Sequence, residues 1–345
     1  MKGIIKVLLI SLAGSLVFNL LHLPLPWLLG SILAVLISQF LIRGELSWPP
    51  VLRNTGLLIV GVAIGQQFDL SLFNGMGLLL LYMAVLNVVL LFFTIILAIW
   101  TSRWTGMPLK TSLTGSIPGG LSQLVLFAEE EKDVDLAAVT FFHVVRVVAV
   151  VLVIPFIVSG HIVTDGGQGE TFNLWLIPVF GLAACSVWLG LKVKMPVAHF
   201  LTPVLFVIVI HMLGLETPPV PASLLHVAQL LIGAYIGLLL KPHMIRLPNK
   251  VLVAGLVNAG ALIAATYVGS VAVQWLLGYS FATSFLSTAP GGLDQMGLLA
   301  AAVGADISTV TVFQLFRLLF IFLVVLPLLK YVSRRMLKGE PEKSC

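Results

Sequence analysis

The sequence predicts an all-α polytopic membrane protein made of two inverted repeats. Each repeat holds five transmembrane helices plus one Pro-Gly-Gly segment that is re-entrant or a broken helix. Three observations lead there. The 345 residues are 59% hydrophobic and only 10% charged, with a mean hydropathy of +1.11, more apolar surface than a water-soluble domain of this length can hide. The apolar residues fall in regularly spaced runs. Sequence landmarks recur at one offset through the two halves.

The runs predict spans over 4–21, 25–42, 54–70, 76–100 and 134–158, then over 173–190, 196–213, 223–240, 251–277 and 306–329. Most are long enough to cross roughly 30 Å of hydrocarbon. Lys2 and Lys6 followed by an apolar run resemble a secretory signal. No small-residue cleavage site follows, and the segment has a counterpart in the second half, so a permanent span is expected.

The duplication is read from spacing. Gly61-x-x-x-Gly65 recurs in the second half as Gly233-x-x-x-Gly237. Pro118-Gly119-Gly120 recurs as Pro290-Gly291-Gly292, Pro24 as Pro196, and Thr111-Ser112 as Thr283-Ser284, all at the same offset of 172. One extra residue near 129–132 then reduces the offset to 171, at which Asp135 matches Asp306 and Arg146 matches Arg317. The units are repeat one over 1–160, repeat two over 170–338 and a tail over 339–345.

Charge orients the spans. With the N-terminus in the cytoplasm, Arg43, Arg53, Arg103, Lys110, Lys192, Lys194, Lys241, Arg246, Lys250, Arg334 and Arg335 fall inside, and the outer loops carry no Lys or Arg. This works only if each Pro-Gly-Gly segment enters and leaves on one side. Full crossing would put Lys192 and Lys194 outside. Five spans is an odd number, so the second repeat would be inverted. A broken helix that crosses, for twelve spans in all, is the alternative.

Arg146 and Arg317 stand in the middle of apolar runs, where an ionisable group costs about 3 kcal/mol on insertion scales. Their matched positions point to a shared buried site. Pro118-Gly119-Gly120 and Pro290-Gly291-Gly292 interrupt their helices, and non-helical backbone at membrane depth is tolerated only when buried in protein or lining a cavity. Half-helices beginning at Leu121 and Leu293 would aim positive dipole ends there. Broken segments at equivalent places in two halves are the sequence mark of a transporter's binding site. Arg146, Arg317, Pro118, Gly119, Gly120, Gln123, Pro290, Gly291, Gly292 and Gln295 are therefore the candidate substrate-binding residues. Guanidinium suits a carboxylate or phosphate. It also suits the carbonyls freed by the break, so a structural clamp is an open alternative.

Asp294, whose repeat partner is Ser122, is the candidate coupling-ion residue, or else a salt-bridge partner of Arg146 or Arg317. His143, one turn before Arg146, is a second candidate for proton coupling, against the plainer reading of a hydrogen-bonded histidine. Asp135 and Asp306 read as helix caps. Asn87 and Asn258 read as hydrogen-bond links between helices, and the paired glycines as close helix contacts.

No metal-ligand spacing, P-loop or dinucleotide fingerprint occurs, and the seven histidines are dispersed. No enzyme, metal or cofactor is expected. The net charge of +5 reports topology and not nucleic acid. Cys185 and Cys345 form no framework.

Pro118-Gly119-Gly120-Leu121-Ser122 and Pro290-Gly291-Gly292-Leu293-Asp294-Gln295-Met296, followed by Ala300-Ala301, Gly304-Ala305-Asp306 and Arg317, resemble the AbrB-type membrane protein family. This is a duplicated bacterial membrane family, distinct from the small DNA-binding regulator that shares its name. The resemblance covers nearly the whole chain. The first copy departs from the pattern at Val134 and in the acidic insert Glu129 to Glu131. Some members carry labels such as ammonia monooxygenase or regulator of gene expression. The residues offer neither a clustered metal site nor an exposed basic reading element. By analogy of fold alone, the inverted repeat also resembles cation–proton antiporters and bile-acid-type symporters.

The expectation is a multi-pass protein of a bacterial inner membrane, with both termini cytoplasmic. It would be a secondary transporter of a small organic anion, coupled to H⁺ or Na⁺. Its partners are the lipid bilayer and the anionic solute, with a homodimer open. The alternative is a membrane sensor or regulatory protein that affects gene expression indirectly, without transport.

Overall fold

The computed structural model describes residues 2–42, 44–69, 76–119, 124, 127–129, 131, 133–158 and 173–329. Among them every regular element is helical. The first half gives α1 (Lys2–Leu20), α2 (Pro26–Leu41), α3 (Pro50–Gln66), α4 (Met76–Thr105), α5 (Leu109–Ser116) and α6 (Leu136–Val158). The second gives α7 (Leu176–Lys192), α8 (Ala198–Met212), α9 (Ala222–Gly237), α10 (Asn249–Leu277), α11 (Phe281–Thr288), α12 (Leu293–Val303) and α13 (Ile307–Phe320), which runs on as a π turn over Ile321–Val325.

Six helical stretches are long and apolar enough to cross a membrane: Lys2–Leu20, Leu79–Thr105, Leu136–Val158, Ala222–Arg246, Asn249–Leu277 and Ile307–Leu329. Shorter apolar helices accompany them, such as Pro26–Leu41 and Ala198–Met212. Large apolar side chains face outward, with Leu9 61%, Phe92 64% and Trp275 88% exposed. In water such a surface would aggregate, whereas acyl chains solvate it. This is the pattern of a multi-pass membrane protein.

Proline starts many of these helices. Pro26, Pro50 and Pro221 sit at or beside the first turn, where the missing N–H costs nothing. The helix pairs meet through glycine. A Cβ at Gly61 would lie 2.7 Å from Phe200 O and one at Gly65 2.9 Å from Val204 O, so α3 rides on the backbone of α8. In the same way Gly233 and Gly237 of α9 face Leu28 O and Ile32 O of α2, at 2.7 and 2.8 Å. Phe200 and Val204 are the repeat counterparts of Leu28 and Ile32, so each half lends a helix to the other's groove.

The backbone carries the repeat as well. His22, Leu25, Lys194 and Val197 are the non-glycine residues at positive φ among those described, at 52°, 48°, 57° and 49°. They form two pairs of repeat counterparts, His22 with Lys194 and Leu25 with Val197, at the turns into α2 and α8. Residues with a Cβ rarely adopt this region. Two matched outliers mark a turn that packing imposes, since neither turn has a glycine there to announce it.

The helices group into two bundles. One contains α1 to α3 with α7 to α9, and the other contains α4 to α6 with α10 to α13. They meet where α12 packs on α3, with Gly297 against Ile64 and Phe200. The candidate site lies along this seam.

Candidate functional site: a cavity between two clamped turns

The chain reverses at Pro290-Gly291-Gly292. The Oγ1 of Thr283, near the start of α11, accepts from the N–H of Asp306, just beyond α12, at 3.0 Å. Both ends of that segment therefore lie together, and Pro290-Gly291-Gly292 is the tip of a hairpin. In the first half the N–H of Asp135 donates to Thr111 Oγ1 at 3.1 Å, and Lys110 pairs with Asp133 at 3.4 Å. The tips need glycine for room. A Cβ at Gly119 would meet Leu124 Cδ1 at 2.6 Å, and one at Gly291 would meet Met296 Cε at 2.5 Å.

At its base, each long helix begins on a capping aspartate. Asp135 Oδ1 accepts from the N–H of Ala137 and Ala138, and Asp306 Oδ1 from those of Ser308 and Thr309. Eleven residues on, about 16 Å along the axis, the helix reaches the level of the tip. There the arginines meet backbone carbonyls of the break. Arg146 donates from Nη1 to Ile117 O at 2.9 Å and from Nη2 to Gly119 O at 3.1 Å. Arg317 donates from Nη1 to Thr288 O at 3.0 Å, and from Nη2 to Gly291 O at 3.2 Å and to Gln314 Oε1. Gln314 itself donates to Leu286 O and Ala289 O at 2.7 and 3.2 Å. Hydrogen bonds from a charged donor stabilise by about 1.5–3 kcal/mol each. The clamp geometry is thus present at both tips.

Among the described residues the clamps give the two arginines no ionic partner. Arg146 and Arg317 are 3% and 6% exposed, and their contacts are to neutral oxygens. The Nε of Arg146 is buried and has no partner among the described residues. Both arginines line one cavity of about 190 Å³. Pro118 and Gly119 border it from the first tip, and Pro290, Gly291, Gly292, Asp294 and Gln295 from the second. The N-terminus of α12 opens onto it at Gly292, adding the positive end of a helix dipole. Gln295 is partly committed, since its Oε1 accepts from the Gly292 N–H at 3.1 Å.

Several expected partners are placed differently. Asp294 pairs with neither buried arginine. Its Oδ2 lies 3.6 Å from Arg53 Nη2, and the Arg53 guanidinium stacks over Tyr235 at 4.9 Å. Arg53 reads in sequence as a helix-end topology residue, and Tyr235 as one member of an apolar run. Both line the cavity because α3 and α9 cross beside the second tip. His143 is wholly buried on α6 against the Thr114 backbone of α5, and it does not line the cavity with Asp294. Asn258 does link helices, donating to Ser116 Oγ at 2.9 Å, but Asn87 donates to Met83 O in its own helix. Gly120 and Gln123 lie outside the described residues, as does the tail over 339–345.

A family model described as "Transition state regulatory protein AbrB" matches residues 27–333. The chain belongs to the AbrB family. It is similar to the protein named "Putative regulator AbrB" of Escherichia coli (strain K12), 27% identical over 339 residues, covering 94% of each chain. It is also similar to "Uncharacterized protein YhjN" of Bacillus subtilis (strain 168), 26% identical over 360 residues, covering 96% of this chain and 93% of that one. Within this AbrB-family chain, the charged lining of the tip cavity among the described residues is Arg53, Arg146, Arg317 and Asp294, three cations to one carboxylate.

Proposed function

We propose that this AbrB-family protein is a secondary transporter of a small organic anion, with its site between the two Pro-Gly-Gly tips. The excess of buried positive charge in the tip cavity carries the reading. Among the described residues each guanidinium is held by neutral oxygens and has no ion-pair partner, and desolvation costs several kcal/mol per ion. An anion bound there supplies that charge.

In this reading the two halves are inverted repeats of five spans, and each hairpin is re-entrant from an opposite face of a bacterial inner membrane. The hydrogen bonds Thr111–Asp135 and Thr283–Asp306, which tie each hairpin's ends together, support it. Both termini are cytoplasmic, and the protein is not an enzyme. Asp294 couples H⁺ or Na⁺ to transport by exchanging its bond to Arg53 for the ion. Alternating access comes from one bundle rocking against the other about the seam between α12 and α3.

The test is uptake into proteoliposomes of a panel of labelled small carboxylates and phosphates, under imposed H⁺ or Na⁺ gradients. Gradient-dependent uptake of one anion, lost in Arg317→Gln, supports transport. No uptake of any panel member counts against it. A membrane sensor or regulatory protein without transport is the second reading, favoured by the regulator descriptions of the family and of the Escherichia coli relative. It expects a stoichiometric protein partner on purification from membranes.

A further inference from the structure

Arg317 also borders a second cavity, of about 330 Å³, whose other lining residues are distinct from those of the tip cavity. It lies between α4, α10, α11 and α13. Its deep end is polar, with Ser287, Thr288 and Arg317 beside Asn87 and Thr266. Its walls are apolar, from Leu90, Phe93, Val268 and Phe313. Ser287 is 3% exposed and its buried hydroxyl has no partner among the described residues.

The cavity exists because the two hairpins are packed differently. Beside the first, Gly255 of α10 admits Phe141 of α6, whose Cε1 lies 2.7 Å from where a Cβ would stand, and Asn258 closes the gap by bonding Ser116. Beside the second, the repeat counterpart of Gly255 is Met83 of α4. Met83 is fully buried in a cluster with Leu79 and Phe313, so a methionine side chain stands between α4 and α13 where the first hairpin has a glycine. Asn87 and Asn258 stand one position out of step with the offset that relates Met83 to Gly255. One residue turns a helical side chain by about 100°. Asn87 accordingly bonds Met83 O, and the Thr288 hydroxyl donates to Ser284 O at 3.0 Å, with Thr266 O also within reach at 3.2 Å, in place of a partner on α4. The space that Asn258 and Phe141 close beside one hairpin stays open beside the other.

At the mouth, Val89 and Val268 are 60% and 70% exposed on apolar faces that a bilayer would cover. A pocket of this size, apolar with a few polar groups at one end, is the usual form of a small-ligand site. We propose that it binds a single-chain amphipathic carboxylate drawn from the bilayer. The carboxylate lies toward Arg317 and Ser287, and the tail leads out past Leu90, Phe93 and Val268. Charge complementarity selects the head group, since among the described residues Arg317 is the charged residue of the lining and its other contacts are neutral. This rests on the membrane reading but requires no transport.

The experiment is equilibrium binding of radiolabelled dodecanoate to the full chain in lipid nanodiscs. Its variants are Val268→Trp at the mouth and Val253→Trp on an exposed face of α10 away from the cavity. The expected result is saturable binding at one site per chain, weakened about tenfold or more in Val268→Trp. Binding is unchanged in Val253→Trp, and dodecyltrimethylammonium does not compete. Absence of saturable binding, equal binding in both variants, or equal competition by the cationic amphiphile overturns the proposal. A short carboxylate that stabilises Val268→Trp as it does the wild type places its own site at the tip cavity, so the two sites stand or fall separately.

Discussion

Arg53 and Asp294 lie 3.6 Å apart and join α3 of the first half to α12 of the second, across the seam between the two bundles. Arg53 is part exposed, with 31% of its side chain accessible, whereas Asp294 is largely buried at 9%. Screening keeps the pair's contribution to stability small, below about 1 kcal/mol. Its weight falls instead on the charge of the cavity, where Asp294 is the carboxylate among the described lining residues, beside three guanidinium groups.

Asp294→Asn is therefore expected to fold normally, with little change in melting temperature. It should bind anions more tightly and lose the dependence of binding on Na⁺ or pH. Titration of an anion in both forms, with and without Na⁺, checks this. Retained cation dependence in the variant removes Asp294 from coupling.

Arg317→Lys separates charge from clamping. Lysine keeps the positive charge but cannot span Thr288 O and Gly291 O with a planar fork. Both Arg317→Lys and Arg317→Gln should lose stability by about 1–3 kcal/mol, the cost of leaving a buried carbonyl unpaired. Only the lysine variant should keep part of the anion response. Calorimetric melts with and without ligand distinguish the two effects.

The glycine contacts predict matched losses in the two halves. Gly61→Ala would press on Phe200 O from 2.7 Å, and Gly237→Ala on Ile32 O from 2.8 Å. Each should destabilise by about 1–3 kcal/mol through overpacking. Gly181→Ala, where a Cβ meets nothing within 4 Å, should be near neutral. Thermal unfolding of the three variants tests the exchange of helices between halves.

The re-entrant reading fixes the sidedness of two exposed positions. In a background lacking Cys185 and Cys345, a cysteine at Asp133 should react from the cytoplasm and one at Ser280 from outside. Labelling of both from the same side contradicts the inverted arrangement.

Features that depend on local chain chemistry are legible in the sequence. The Pro-Gly-Gly breaks, the capping aspartates Asp135 and Asp306, the small-residue contacts of Gly61 and Gly233, and the shared depth of Arg146 and Arg317 all follow from spacing and residue type. What is not legible depends on which helices cross. Arg53 meets Asp294 from the far half of the chain because α3 packs beside α12, and nothing local to either residue selects that partner. Tyr235 enters the cavity for the same reason. Gln314 reads as an ordinary polar residue until the hairpin carbonyls of Leu286 and Ala289 are placed beside it. The left-handed turns at Leu25 and Val197 carry no glycine to signal them. Asn87 departs from its expected link between helices because one residue of register decides which face it takes.

The most direct test of an anion site between the two tips is a thermal-shift comparison of wild type and Arg317→Gln. The panel would be small carboxylates, amino acids and phosphates, with and without Na⁺, at two pH values. An anion site predicts that at least one anion raises the melting temperature of the wild type and not of the variant. An equal response in both proteins, or none in either, would leave the two arginines as clamps for the hairpin carbonyls and contradict an anion site in the tip cavity.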